Sequence, residues 1–215
     1  MSNTVGSSTG TLANGTQYGV GLANNGSDTI LLGGGAVYIM PIEGVTSIPD
    51  DSVIETAANN VGWCESGAKI QYKPKLADIY NQYDQLVKRF ITRENLTFKT
   101  GILTWNLENL SKLSNANFIP ATENNLERRV VFTGTGALNT VLLRFVYIKE
   151  NGKAIRFTMV GQGGNGFGLD FSDKATSIDA EIQGIQYFNN FFAEFREELS
   201  EVEFNALNPA PKQVQ

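Results

Sequence analysis

The stretch Ala68–Leu113, AKIQYKPKLADIYNQYDQLVKRFITRENLTFKTGILTWNLENLSKL, decides the fold. Ala68, Ile70 and Tyr72 alternate with Lys69, Gln71 and Lys73, which predicts a strand with one buried and one polar face. Pro74 has no N–H to give a ladder, so it marks an edge or the end of pairing. Leu86 to Phe98 reads as a continuation of the sheet, with Leu86, Phe90, Leu96 and Phe98 on one parity. At the far end Leu103, Leu107 and Leu110 recur at four and three, the spacing of one helical face. TWNLENLSKL therefore predicts a short amphipathic helix. A sheet with that helix laid against it buries both apolar faces most simply.

Working outward toward the N-terminus, Glu43–Asn60 is a long polar loop carrying Pro49 and the pair Asp50-Asp51. A loop of that length in a compact domain is functional or flexible, and an acidic pair on it reads as solvated. Before it, Ala36–Met40 has the composition of a strand. Met1–Asp28 is Ser, Thr, Asn and Gly with few apolar residues. It cannot bury enough surface to offset its ordering entropy, so it reads as a flexible arm, or as one that orders on a neighbouring subunit through Tyr18, Val20 and Leu22.

Toward the C-terminus, Asn115–Glu127 reads as a loop and Arg128–Thr133 as a short strand. Asn151-Gly152 lies between two apolar runs and predicts a two-residue hairpin turn. That register sets Ile148 opposite Ile155 and Val146 opposite Phe157. Val141–Ile148 is apolar on both parities and so requires cover on both faces, from the helix or from another subunit. The run GQGGNGFG, 161–168, has the G-x-G-x-x-G spacing but no helix start after it, so it reads as a flexible turn. In Ser177–Gln183 the apolar Ile178, Ala180 and Ile182 alternate with Asp179 and Glu181. From Phe188 the period changes: Phe188, Phe191, Phe192, Phe195, Leu199 and Val202 recur at three and four, predicting an acidic amphipathic helix and then a polar tail.

The chain of 215 residues contains no His and a single Cys, Cys64. Triads that need imidazole, imidazole-bound zinc and the usual general base near neutral pH are thereby excluded. No intrachain disulfide can form, and Cys64 reads as a small apolar side chain beside Trp63. The formal charge of −5 argues against gripping nucleic acid by its phosphates. The cluster Lys88, Arg89, Arg93 and Lys99 reads as a solvated or intersubunit face. No apolar run approaches a membrane span, and no signal peptide is visible, so synthesis in the cytoplasm is expected. No catalytic, metal or cofactor constellation emerges, and the chain reads as a non-enzyme.

With Val61-Gly62-Trp63 ahead of it, the Ala68–Leu113 stretch resembles the core of bacteriophage tail tube proteins, or major tail proteins. The resemblance rests on Gly62-Trp63, then Tyr72-Lys73-Pro74, the Asp84-Gln85 turn, a strand rich in Thr and Phe, and the Thr-Trp-Asn-Leu-Glu-Asn-Leu helix. It continues more weakly through Gly166–Ile185. It implies a mainly β fold, a β-sandwich or half-barrel of two packed antiparallel sheets with one flanking α-helix, a long loop and terminal arms. The implied division is an arm at 1–28, the tail-tube domain at 29–188, and a helix and tail at 189–215.

The same resemblance implies a structural subunit that forms stacked, hexameric rings whose lumen conducts DNA. The other class considered is a β-rich virion assembly or decoration protein. The loop around Pro49, Asp50 and Asp51 would join rings. Asp179 and Glu181 would line the channel if their strand lies in the inner sheet of the ring. Six copies would carry about −30 per ring, repelling phosphate. Partners would be further copies and other tail proteins (sheath, tape measure, baseplate or terminator), with DNA passing unbound, no membrane, and a place in the virion tail after assembly in the host cytoplasm.

Overall fold

A computed structural model describes residues 34–207, apart from 135, 170–175 and 190, together with the short strands Thr9–Thr11 (β1) and Gln17–Gly19 (β2). These two pair antiparallel; Val20, Leu22 and the rest of the N-terminal arm lie outside the described residues. So do 170–175 and the polar tail after Leu207.

The remaining strands are β3 (Ala36–Pro41), β4 (Cys64–Tyr72), β5 (Lys75–Tyr80), β6 (Leu86–Arg93), β7 (Leu96–Ile102), β8 (Asn117–Ile119), β9 (Arg129–Val131), β10 (Thr140–Ile148), β11 (Ala154–Leu169), β12 (Ile178–Gly184) and β13 (Ala193–Glu197). Three short helices join them: α1 (Asp51–Ile54), α2 (Leu107–Lys112) and α3 (Glu201–Leu207). The protein is mainly β and antiparallel. Seven strands share one sheet in the order β3-β10-β11-β12-β7-β4, with β13 beside the first half of β11.

This sheet curls nearly into a barrel. Phe98 on β7 and Phe145 on β10 have ring centroids 6.2 Å apart, although β11 and β12 lie between them in the sheet. Strands sit about 4.8 Å apart, so a flat sheet would hold those rings far beyond contact. At the seam, Ile39 N–H donates to Asn59 O and Val61 N–H to Val37 O, at 2.8 and 3.0 Å. Val61 leads directly into β4. The expected two packed sheets are thus a single hydrogen-bonded sheet folded onto itself. Its interior holds Val37, Ile39, Phe98, Ile102, Val141, Leu143, Phe157, Met159, Ile178, Ala180 and Ile182.

The helix α2 forms where the Leu spacing predicts it. The Asn106 side chain accepts from Glu108 N–H at 3.0 Å and caps the start. Leu110 and Leu113 are buried in the core, with Leu107 packed beside them. Leu103 precedes the helix. Pro74 falls between β4 and β5, where pairing in the main sheet ends.

Four expectations are corrected. First, the hairpin at Asn151-Gly152 has a three-residue loop. Lys149 N–H donates to Lys153 O, Gly152 N–H returns to Lys149 O, and Gly152 takes φ +77°. A left-handed residue ending a turn adds one residue to the loop, so Ile148 pairs with Ala154 and Phe145 with Phe157.

Second, 161–168 is strand, not a flexible turn: β11 runs through it, with a bulge between Gly163 and Phe167 in its pairing with β12. A Cβ on Gly163 would lie 2.0 Å from Leu113 O, so the glycine lets the end of α2 reach the sheet. Third, the Phe periodicity after Phe188 is not one helix. Ala193–Glu197 is a strand on β11, and the helix spans only Glu201–Leu207. Fourth, only the last part of Leu86–Phe98, Leu96–Phe98 in β7, continues the main sheet. The run breaks at Glu94-Asn95, and β6 pairs with β5 in a separate hairpin.

The second cover over β10 comes from the chain itself. Leu142 and Val160 point outward and meet Ile42 and Ile54, with Tyr38, Val45 and Ile48 around them. The long loop therefore lies down on the sheet. Burying Ile54 alone contributes about 2 kcal/mol.

Candidate functional site

Asp50 and Asp51 part company at the start of α1. Asp50 is exposed at the N-cap position and its side chain makes no cap hydrogen bond. Asp51 turns inward, where Arg144 Nη1 donates to Asp51 Oδ1 at 2.7 Å and to Glu55 Oε1 at 3.0 Å. Arg144 is only 1% exposed. Arg156 Nε reaches Glu55 Oε1 at 2.6 Å and its Nη1 binds Glu198, while Arg196 Nη2 bonds both Asp51 oxygens at 2.5 Å.

Arg156 and Arg196 face each other across β11 and β13. Like charges in that position repel, and the carboxylates one turn apart on α1 neutralise them. Partial burial pushes the Asp51 carboxyl up. Hydrogen bonds from Arg196 and Arg144, with their positive charge, outweigh it and hold the pKa at about 2. Carboxylates raise Arg156 in turn, first the hydrogen bond to Glu55 and then that to Glu198. This cluster fastens the Pro49–Asp51 loop to its own sheet.

A second cluster holds the C-terminal segment. Lys149, with its side chain 1% exposed, donates to Glu197 Oε1 at 3.0 Å and Glu203 Oε1 at 2.9 Å. Ser200 and Glu203 cap α3 reciprocally: Ser200 N–H donates to Glu203 Oε2 at 2.6 Å, and Glu203 N–H to Ser200 Oγ at 3.2 Å. The Ser200 N–H, then Lys149, hold the Glu203 carboxyl down at about 2. The spacing S-x-x-E announces this helix start in the sequence.

Asp179 and Glu181 lie on the outer face of β12, opposite the buried Ile178, Ala180 and Ile182, as their parity predicts. Glu181 accepts from Lys99 Nζ at 2.6 Å, its partner directly across β7. With Glu65, Lys69 and Gly101 they border a groove of about 580 Å³. The face is thus polar and of mixed charge. Its strand β12 pairs with the second half of β11, whereas Arg156 lies on the first half beside β13, so the two sets of sequence-predicted residues do not form one site.

A large exposed apolar feature among the described residues is not visible in the periodicity of the sequence. Every residue of β5 and β6 is exposed except the half-buried Asp78. Leu76, Ile79, Tyr80, Tyr83, Leu86, Val87, Phe90 and Ile91 are all in solvent. The hairpin is internally ordered. Arg89 pairs with Asp78 at 2.7 Å, and Lys88 Nζ sits 4.7 Å from the Phe90 ring centroid. The Asn81 Oδ1 accepts from Tyr83 and Gln85 N–H, both at 3.0 Å, and shapes the tip. Of the basic cluster, Lys88, Arg89 and Arg93 belong to this arm and Lys99 to the main sheet. Trp63, read as a neighbour of a buried Cys64, is 82% exposed, while Cys64 packs against the core. Burial pushes the Cys64 thiol up, against a hydrogen bond with Thr100.

Among the described residues no group of three or more Cys, Asp or Glu is placed to hold a metal ion, and no helix is long and apolar enough to cross a membrane. No protein-family model matches the chain, and no curated protein matches it.

Proposed function

We propose that this chain is a structural subunit of a phage-type tail tube, in which copies form stacked rings, hexameric by the resemblance, around a lumen that conducts DNA. The observation that carries the reading is the β5–β6 arm. An isolated two-stranded hairpin is marginal in water, and eight large apolar side chains on one projecting arm are far more than a monomer exposes without use. An arm of this kind is stabilised when a neighbour covers it. The curled sheet supports the reading too, with β4, β7 and β12 as one layer of a sandwich and β3, β10 and β11 as the other. In this reading the arm, rather than the Pro49–Asp51 loop, reaches between subunits. Asp179 and Glu181 lie on the bare half of the outer face and are the candidates for the channel wall. The virion tail is the place of action, with other tail proteins at the ends of the tube.

The test is electron microscopy of the purified full chain at rising concentration. Uniform rings or hollow rods are expected. A chain that stays monomeric at high concentration overturns the proposal, and discrete particles without rings would favour a decoration or tail-tip protein.

A further inference from the structure

Two exposed surfaces of this chain carry opposite charge and matching apolar character. On the arm, Lys75, Lys88, Arg89 and Arg93 against Asp78 and Asp84 give a net charge of +2, in a chain whose total is −5. Arg89 is occupied by Asp78; Lys75, Lys88 and Arg93 form no salt bridge among the described residues. On the C-terminal segment 193–207, five glutamates against Arg196 give −4. Glu197, Glu198 and Glu203 are engaged by the chain's own Lys149 and Arg156, but Glu194 and Glu201 are exposed and form no salt bridge among the described residues. On the same segment Val202 and Leu207 are exposed at 79% and 62%, while Phe195, opposite in parity to Glu194, lies against Phe157 of the core.

Strand directions place both surfaces at one end of the molecule. β4 and β12 are each antiparallel to β7, so they run the same way. The arm continues beyond Tyr72 at the end of β4, and β13 continues beyond Gly184 at the end of β12. The ion clusters already hold the C-terminal segment to its own sheet, which leaves its outward side as a fixed platform.

We infer that the β5–β6 arm of one copy docks on the β13–α3 surface of a second copy, side by side, with Lys88 and Arg93 meeting Glu194 and Glu201 over an apolar contact. The contact is head-to-tail, since each copy offers a different surface to each neighbour, and repetition closes a ring when the rotation allows. This inference rests on the self-assembly proposed above and names the two surfaces that perform it.

Charge reversal tests it on the full chain. K88E/R93E makes the arm acidic, and E194K/E201K makes the platform basic. Each variant alone then sets like charge against like, and the concentration needed for assembly should rise roughly ten-fold or more. An equimolar mixture should assemble at the original concentration, because acidic arms meet basic platforms and unaltered arms meet unaltered platforms. A misfolded variant could not be rescued by mixing, so recovery separates lost contact from lost fold. Assembly of E194K/E201K at the wild-type concentration overturns the docking surface, as does a mixture that fails while the wild type assembles; either leaves the tube reading standing. A wild-type chain that never associates overturns both.

Discussion

At the scale of single residues, Arg144 has the most at stake. It is buried on the outer face of β10, and among the described residues its charged partners are Asp51 and Glu55. Removing one member of a buried ion cluster leaves the others desolvated and incompletely paired. Arg144→Met should destabilise the fold by about 3 kcal/mol, the low end for such losses, because Arg156 and Arg196 still reach the carboxylates. Urea denaturation at neutral pH measures it, and an unchanged midpoint would show that the cluster does not hold the loop. The acid response follows from Asp51. Its pKa is lower in the fold, at about 2, than in the unfolded chain. Its contribution is therefore complete above the ordinary carboxylate range and is lost as pH falls from about 4 toward 2. Stability should drop over that window, and Asp51→Asn, already without the charge, should show a shallower drop. Parallel slopes for the two proteins would contradict this.

Among elements, β11 and the β5–β6 arm make the clearest predictions. Gly163 and Gly168 lie on the same strand, yet a Cβ at Gly163 meets Leu113 O at 2.0 Å, whereas one at Gly168 meets nothing within 4 Å. Gly163→Ala should cost about 2 kcal/mol through forced movement of the α2 end. Gly168→Ala should stay within about 0.5 kcal/mol. Thermal or chemical melts of the pair decide it, and equal costs would mean that α2 does not rest on the strand. The arm is separable in the opposite sense. β4 and β7 pair without it from Cys64 to Tyr72. Replacing Lys75–Arg93 with a short turn should leave the circular dichroism spectrum β-rich and the melt cooperative while abolishing rods. Loss of cooperative folding would place the arm in the core instead.

For the whole molecule, the proposed tube turns on which face would meet its lumen. Asp179 and Glu181 stand on the bare half of the sheet's outer face, beside Lys99. Replacing both acids with Lys should leave the tube intact, since exposed charges contribute little to stability. It should slow DNA passage, because each added Lys can hold phosphate in place of a counterion. The salt bridge to Lys99 makes Glu181→Lys the more disruptive half, as it sets two ammonium groups directly across β12 and β7. Ejection from particles built with the double variant is the measurement; a normal rate from full-length tubes would remove these acids from the channel wall.

The sequence by itself determined the β class, the inward parity of Ile178, Ala180 and Ile182, the leucine face of α2 and the end of pairing at Pro74. Each is a local matter: alternation and helical spacing record which side of an element meets the core, whatever that core is. Tertiary structure alone decided the rest. The Phe and Leu spacing after Phe188 looked helical because apolar positions from a turn, a strand and a helix happened to fall three and four apart. Pairing with β11 made Ala193–Glu197 a strand. The hairpin register turned on one left-handed residue, Gly152. Within the acidic pair of the long loop Asp50 is exposed as expected, but Asp51 is not free in solvent, and its counterions, Arg144 and Arg196, lie 93 and 145 positions away in the chain. The arm read as sheet because its composition is that of a strand. Exposure of its apolar side chains is a property of where the strand goes, and periodicity within the strand carries no record of that.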